Sequence, residues 1–325
     1  MIIVTGACGF IGSALLGKLQ ELGYGELIAV DDFSHASKLP NLDNKNLKAR
    51  IDREEFPDWL IENAPKVQFL FHIGARTRTN EFDWDVLNHL NVDYSKKLWN
   101  TCTKFSIPFI YASSAATYGN GEFGFDDKPE GRSQLKPMNP YGESKQIFDL
   151  WAEESAEKGD HPPFWAGFKF FNVFGPNEYH KGRMASVVFH AFNQIKDKGE
   201  VSLFKSYRED YPDGGQRRDF VYVKDVLSVL IHFMENRKNS GIYNLGSGQA
   251  HTFLELATGV FEALKLAPNI KYVDMPEDIR DNYQYYTEAS MSRVRTAGYS
   301  VPFWDFKEAI HDYVAGYLEK QCAVY

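Results

Sequence analysis

The chain has 325 residues, 43% of them hydrophobic, a formal net charge of -8 and three cysteines. This is enough for a substantial core, in two domains or one domain with an appended lobe, and the acidic balance excludes general binding to nucleic acid or an anionic membrane surface. Cys8, Cys102 and Cys322, widely spaced and odd in number, fit neither a disulfide framework nor a metal site and point to a reducing compartment, and no apolar run approaches the roughly 18 residues of a membrane span.

The N-terminus enters Ile2-Ile3-Val4 with no basic leader or export-type segment, so a cytoplasmic location is expected. After this apolar run comes Gly6-Ala7-Cys8-Gly9-Phe10-Ile11-Gly12, and Ser13 to Leu22 has the apolar spacing of a helix. Strand, glycine turn and helix in that order suit a pyrophosphate: the glycines let it approach the backbone, and the positive helix end receives it. A second apolar run, Leu27 to Val30, ends in Asp31, nineteen residues beyond Gly12, where a carboxylate would take the ribose hydroxyls of an adenine dinucleotide. A purely structural turn with a solvated Asp is the alternative, and the strand context together with the Asp spacing favours dinucleotide binding. Asp31 suits a free 2′-hydroxyl, whereas Lys38 and Arg53 in the following loops could neutralise a 2′-phosphate or be plain surface cations.

Val67 to His72 reads as a buried parallel strand with His72 packed at its end, and Gly74-Ala75 would let a cofactor pass close to the backbone. Asn91 opens a helical pattern through Tyr94, Leu98 and Trp99, and Pro108 to Ala112 is the next strand, ending in Ser113-Ser114. This alternation predicts an α/β fold, a Rossmann-type doubly wound parallel sheet with ligands at the carboxyl ends of its strands. Ser114 and the segment Asn139 to Lys145 would share that edge. There Tyr141 and Lys145 stand four residues apart at a helix start, on one face. A phenol is a poor base at its usual pKa of about 10, and a neighbouring cation is expected to bring it toward neutral pH. Beyond Gly175-Pro176 the pattern grows irregular and aromatic, as in a lobe that closes over a substrate.

Gly6, Gly9 and Gly12, Asp31, the run Ala112 to Gly119, and Tyr141-x-x-x-Lys145 together resemble the extended short-chain dehydrogenase/reductases that act on nucleotide sugars. The resemblance implies that Ser114 and Tyr141 bond the carbinol oxygen, that Tyr141 takes its proton, and that Lys145 holds the nicotinamide ribose. Within the family, similarity to the branch acting on ADP-linked heptoses, the sugars of lipopolysaccharide cores, runs along nearly the whole chain. It includes Phe170-Phe171-Asn172-Val173, His180-Lys181-Gly182, Arg218-Asp219-Phe220-Val221-Tyr222-Val223 and Tyr283-Gln284. This implies that Lys181 is a second acid/base opposite Tyr141, so that hydride leaves C6 to give a transient ketone and returns to its other face.

By the same resemblance the cofactor would be met by Gly6, Gly9, Phe10, Ile11, Gly12, Asp31, Asp32, Lys38, Arg53, Gly74, Ala75, Asn91, Tyr141, Lys145, Val173 and Lys181. The substrate would be met by Ser114, Asn172, His190, Phe204, Lys205, Ser206, Arg218 and Tyr283, with Arg218 offering a fork to the pyrophosphate. Arg218-Asp219 could equally be the solvated start of a strand, and His190 a core histidine. Lys38 and Arg53 favour NADP, while Asp31-Asp32 keeps NAD open; no metal is implied. Residues 1–171 would form the NAD(P)-binding domain and residues 172–325 mainly a smaller α/β substrate lobe, with some segments returning to the first. The family implies a homo-oligomer, often a pentamer. Arg76, Arg78 and Arg183 depart from the family pattern, and residues 207–216 look like an inserted surface loop. A hexose 4-epimerase of the UDP-glucose type needs the same Ser, Tyr and Lys, and the His180-Lys181-Gly182 segment argues against it. Ala115-Ala116 after Ser114 argues against a 4,6-dehydratase, and the intact Ser114, Tyr141 and Lys145 against a non-catalytic regulator.

Overall fold

A computed structural model describes residues 1–79, 81–280 and 283–325. Its strands are β1 (Ile2–Thr5), β2 (Leu27–Asp31), β3 (Ala49–Asp52), β4 (Phe69–His72), β5 (Phe109–Ser114), β6 (Trp165–Phe170), β7 (Asn172–Phe174), β8 (Val201–Phe204), β9 (Arg217–Tyr222), β10 (Gly241–Leu245), β11 (Ala250–Thr252) and β12 (Ile270–Val273). Among the described residues, seven of them form one sheet in the order β10-β6-β5-β4-β1-β2-β3, and every neighbouring pair is parallel. This is the doubly wound α/β sheet that the alternation of strands and helices predicts. The chain winds outward from β1 to β3 and then returns to the other side of β1, so the strand order reverses between β1 and β4. Thr5 and His72 stand in register at that reversal, where such sheets bind ligands.

Apart from the edge strand β3, the strands are buried on both faces, and successive residues feed opposite cores. Ile2, Val4, Phe69 and Phe71 join Leu15, Leu16, Val226 and Leu230 from the helices Phe10–Glu21 and Val223–Glu235. Met1, Ile3 and Leu70 join Leu98, Trp99, Phe148 and Ala152 from the helices Tyr94–Lys104 and Pro140–Glu157. Burying a side chain such as Phe148 contributes about 1.5–3 kcal/mol. The Asn139 cap, whose side-chain oxygen accepts from the Gly142 N–H at 2.8 Å, contributes about 1 kcal/mol. Packing therefore holds the Pro140–Glu157 helix, and the cap with Pro140 fixes where it starts.

The second half builds smaller sheets, β7 parallel to β9 and β9 antiparallel to β11, with β8 parallel to β12. The helices Val187–Lys198, Phe253–Ala263 and Phe306–Tyr313 cover them, through Phe192, Ile195, Val260 and Ile310. These side chains belong to the same continuous apolar cluster as the first face of the large sheet, and β10 from this half forms the edge of that sheet. No helix among the described residues is long and apolar enough to cross a membrane.

Candidate active site

The crevice at the strand-order reversal is built by backbone lying on backbone. Gly6 has a left-handed φ of +66°, and a Cβ there would fall 2.6 Å from the Gly74 Cα. A Cβ on Gly12 would fall 2.1 Å from the Gly6 carbonyl oxygen. The helix Phe10–Glu21 starts at Gly9 with no side-chain cap and no acidic residue in its first turn, so its leading amides and positive end are left for an anion. These features fit a dinucleotide pyrophosphate. At the tip of β2, Asp31 accepts from the Cys8 N–H at 2.8 Å and lies 3.9 Å from Lys38 Nζ, while Asp32 lies 3.6 Å from Arg53 Nη2. The Ser34 hydroxyl and amide, both bonded to Asp32, hold its carboxyl below the usual range.

Gly74 is set by a chain of bonds whose direction is determined throughout. Its N–H donates to Thr5 Oγ1 (3.1 Å), and at the other end Ser95 Oγ donates to the Asn91 carbonyl (2.7 Å). His72 between them must accept from Thr5 at Nδ1 (2.8 Å) and donate from Nε2 to Ser95 (2.9 Å), which assigns a neutral tautomer. Burial, reinforced by the nearby Lys145 charge, lowers the His72 pKa to about 3. His72 is thus the packed strand-end residue read from the sequence. Asn91 is buried, and its side chain bonds the Arg76 amide and carbonyl and the Ser144 hydroxyl, which in turn donates to the Tyr141 carbonyl. It thus joins the Arg76 backbone, next to Gly74-Ala75, to the first turn of the Tyr141 helix.

Ser114 ends β5 and caps the turn Ala115–Tyr118, accepting from the Ala116 N–H at 3.1 Å and so keeping its own proton to donate. The Tyr141 helix sits directly on this turn: a Cβ on Gly142 would fall 2.7 Å from the Ala116 carbonyl oxygen. Lys145 is buried and donates to the Ala112 carbonyl at 2.8 Å, and burial lowers its pKa to about 8. The expectation that this neighbouring cation brings the Tyr141 phenol toward neutral pH is corrected here. Burial raises the phenol's pKa; the Ser114 hydroxyl opposes that rise and Asp149 adds to it. The Lys145 ammonium is turned to a β5 carbonyl instead.

Lys181 lies on the turn Tyr179–Met184, with its ammonium 5.3 Å from the centre of the Phe10 ring, against the glycine turn. Burial lowers its pKa, with Glu178 opposing. Two asparagines stitch the lysine turn to the glycine turn. Asn177, buried with a left-handed φ of 79°, donates to Ser13 Oγ at 2.9 Å. Asn41 donates to the Asn177 carbonyl (2.9 Å) and the Cys8 carbonyl (3.0 Å). Glu178 accepts from the Ser186 amide and hydroxyl and from the Gly175 amide, closing the loop at both ends.

In the second half, exposed Asn172 and partly buried Val173 open β7, in register with Phe220 and Val221. Arg218 and Tyr283 meet, the guanidinium 5.3 Å from the ring centre, and Phe204 packs edge-on to Tyr283 at 6.1 Å. The Arg218 fork, expected for a pyrophosphate, is turned onto the Arg217 and Gln284 carbonyls, because the buried guanidinium needs acceptors at once. Lys205 is half-exposed and pairs with Asp274 at 3.1 Å, and Ser206 shapes the 207–216 loop by bonding Asp213 and Arg208. His190 is partly buried on the Val187–Lys198 helix, next to the Phe189 ring. Sequence reasoning missed Asn41, Asn177, Glu178, Thr117, Asp149 and Lys169. Asp149 alone left a signal, standing four residues beyond Lys145 on one helical face. Among the described residues no cluster of His, Cys, Asp and Glu is placed to hold a metal.

A dinucleotide crevice beside a Ser, Tyr and Lys cluster defines a nicotinamide-dependent enzyme of carbinol chemistry. The chain belongs to the NAD dependent epimerase/dehydratase family, whose model matches residues 2–246. It is 45% identical to an ADP-L-glycero-D-manno-heptose-6-epimerase of Fusobacterium nucleatum, covering 99% of both chains. It is 44% identical to one of Nitratidesulfovibrio vulgaris, covering 98% of both. The crystal structure of the Helicobacter pylori ADP-L-glycero-D-manno-heptose-6-epimerase superposes with a TM-score of 0.79 at 27% identity, over 97% of this chain and 95% of that one.

Proposed function

We propose that the protein is an epimerase, an isomerase that interconverts ADP-D-glycero-D-manno-heptose and ADP-L-glycero-D-manno-heptose with a tightly held NADP. Similarity to the heptose epimerases over essentially the full chain supports the substrate. The chemistry is supported by one observation, that Lys181 lies against Phe10 of the glycine turn, at the sheet edge where Ser114 and Tyr141 also lie, where it can serve as the second proton-transfer group. Bound nicotinamide supplies the hydride acceptor and donor. Ser114 donates a hydrogen bond to the C6 oxygen. One of Tyr141 and Lys181 removes the C6 hydroxyl proton as the carbinol becomes a ketone, and the other returns a proton when the opposite face is reduced. Lowered by burial, the Lys181 pKa suits a group that must exist in both forms. Lys145 anchors the ribose beside Tyr141. Lys38 and Arg53, flanking Asp31 and Asp32, support a 2′-phosphate and hence NADP. The same reading makes residues 1–171 the cofactor domain and residues 172–325 mainly the substrate lobe, with β10 and the helix Val223–Glu235 returning to the first domain, in a cytoplasmic homo-oligomer.

The test is incubation of purified protein with each ADP-heptose epimer and, separately, with UDP-galactose, followed by NMR of the sugar and mass analysis of released cofactor. Mixed ADP-heptose epimers, unchanged UDP-galactose and NADP are expected. Unchanged ADP-heptose beside converted UDP-galactose would overturn the substrate assignment, and release of NAD alone would overturn the cofactor assignment.

A further inference from the structure

Beneath the Ser114 turn lies a charged pair that the mechanism does not use. Asp149 and Lys169 are both fully buried and meet at 2.6 Å, Asp149 from the Tyr141 helix and Lys169 from β6. The carboxylate also accepts from the Tyr111 hydroxyl (3.0 Å) and the Ser113 hydroxyl (2.7 Å). The ammonium also donates to Thr117 Oγ1 at 2.7 Å, and that hydroxyl donates onward to the backbone carbonyl of Ser114 at 2.9 Å. With Lys145 on the Ala112 carbonyl, each of the four residues Tyr111 to Ser114 is tied to the Tyr141 helix, directly or through Lys169 and Thr117.

Burying two charges is costly, and an apolar pair of similar volume commonly serves stability as well or better. What an apolar pair cannot do is join three elements by directed bonds. Resting on the reading of Ser114 and Tyr141 given above, we propose that Asp149, Lys169 and Thr117 are positioning residues that hold the Ser114 hydroxyl in reach of the Tyr141 phenol. The bonds run in one sequence: helix carboxylate, β6 ammonium, Thr117 hydroxyl, Ser114 carbonyl. They fix the end of β5 against the first turn of the catalytic helix. None of the three touches the reacting atoms, so they act on turnover and not on substrate or cofactor binding.

Four variants test this: Thr117→Val, Lys169→Met, Lys169→Arg, and the double Asp149→Leu/Lys169→Met, which leaves no unpaired buried charge and guards against a misfolded single variant. Assays measure kcat, KM and cofactor content with ADP-heptose, and crystal structures measure the separation of Ser114 Oγ from the Tyr141 hydroxyl. Misplacement on the order of 1 Å predicts up to about a 10²-fold loss of kcat in the double variant and Lys169→Met. A smaller loss is expected in Thr117→Val and recovery in Lys169→Arg, all at unchanged KM and cofactor content. Wild-type kcat in Thr117→Val and the double variant would overturn the proposal while the functional reading stands. Should the parent protein leave ADP-heptose unchanged, that reading fails and the crystal structures decide: a widened Ser114 to Tyr141 separation supports the positioning role, and an unmoved one overturns it.

Discussion

At the scale of single residues, the catalytic cluster is a set of groups whose proton affinities are displaced by burial. Tyr141 is pushed up, Lys181 is pushed down, and Lys145 is lowered to about 8. Tyr141→Phe and Lys181→Met each remove one proton-transfer group and nothing that holds the fold. Each should cut turnover by about 10²–10⁴-fold while cofactor remains bound, and stopped-assay kinetics with cofactor quantification on the same samples will check this. Full turnover by Lys181→Met would refute the role of the second base. For Lys145 the linkage sign is definite. Its folded pKa lies below its ordinary value, so between about pH 8 and 10.5 the unfolded chain binds more protons and this residue makes stability rise with pH. The stability difference between the parent protein and Lys145→Met should therefore shift in favour of the parent across that window in urea titrations. A constant difference would mean that Lys145 titrates normally.

At the scale of elements, the glycine turn is where the sequence and the structure agree for different reasons. The motif Gly6 to Gly12 reads as room for a pyrophosphate, yet the nearest neighbours of the missing side chains are the protein's own backbone at Gly6 and Gly74. Gly12→Ala drives a methyl into the Gly6 carbonyl. We expect a loss of about 1–3 kcal/mol from overpacking and cofactor-free protein on purification; a Gly12→Ala protein with full cofactor and unchanged melting would show that the turn can yield. In the first half, β1, β2, β4, β5 and the helices beginning at Phe10, Tyr94 and Pro140 were legible because each is a short apolar run or an amphipathic repeat bounded by glycine or a cap, as at Asn139, whereas β3 and the helix Phe56–Asn63 were not. Tyr141 and Lys145 stand out by local spacing, and Ser114 by its place at the end of β5 and by the family's Ala112 to Gly119 run. Asn41 and Asn177 do not, because their side-chain partners are from 33 to 164 residues away in the chain and no local pattern marks such a bond. The acceptors that the Arg218 fork takes were hidden for the same reason: the Arg217 and Gln284 carbonyls depend on how Tyr283-Gln284 folds back onto β9. The partner of Lys205 was equally hidden, since Asp274 faces it across the parallel pairing of β8 with β12, a contact between distant segments.

At the scale of the whole molecule, the site depends on how the second half is fastened to the sheet, and the helix Val223–Glu235 does much of this. It packs on the helix Phe10–Glu21 and follows directly from β9. Near its start Asp225 is buried and accepts from the Trp304 N–H at 3.2 and 3.3 Å, so it holds the segment that leads into the helix Phe306–Tyr313. Burial raises its carboxyl to about 7, with the Trp304 amide and Arg295 opposing. A carboxyl whose folded pKa is raised binds more protons folded than unfolded between its ordinary value near 4 and about 7, so stability falls as pH rises through that window. Its ionised form at neutral pH is thus a standing cost to the attachment of the lobe. Asp225→Asn keeps an acceptor for the Trp304 amide and removes the charge. Denaturant titrations of the two proteins should match near pH 4 and diverge toward pH 7.5, with the Asn variant the more stable at the upper end and its pH slope flatter. Parallel profiles would show that Asp225 ionises without penalty, and a variant weaker at every pH would show that the carboxylate is itself the fastening.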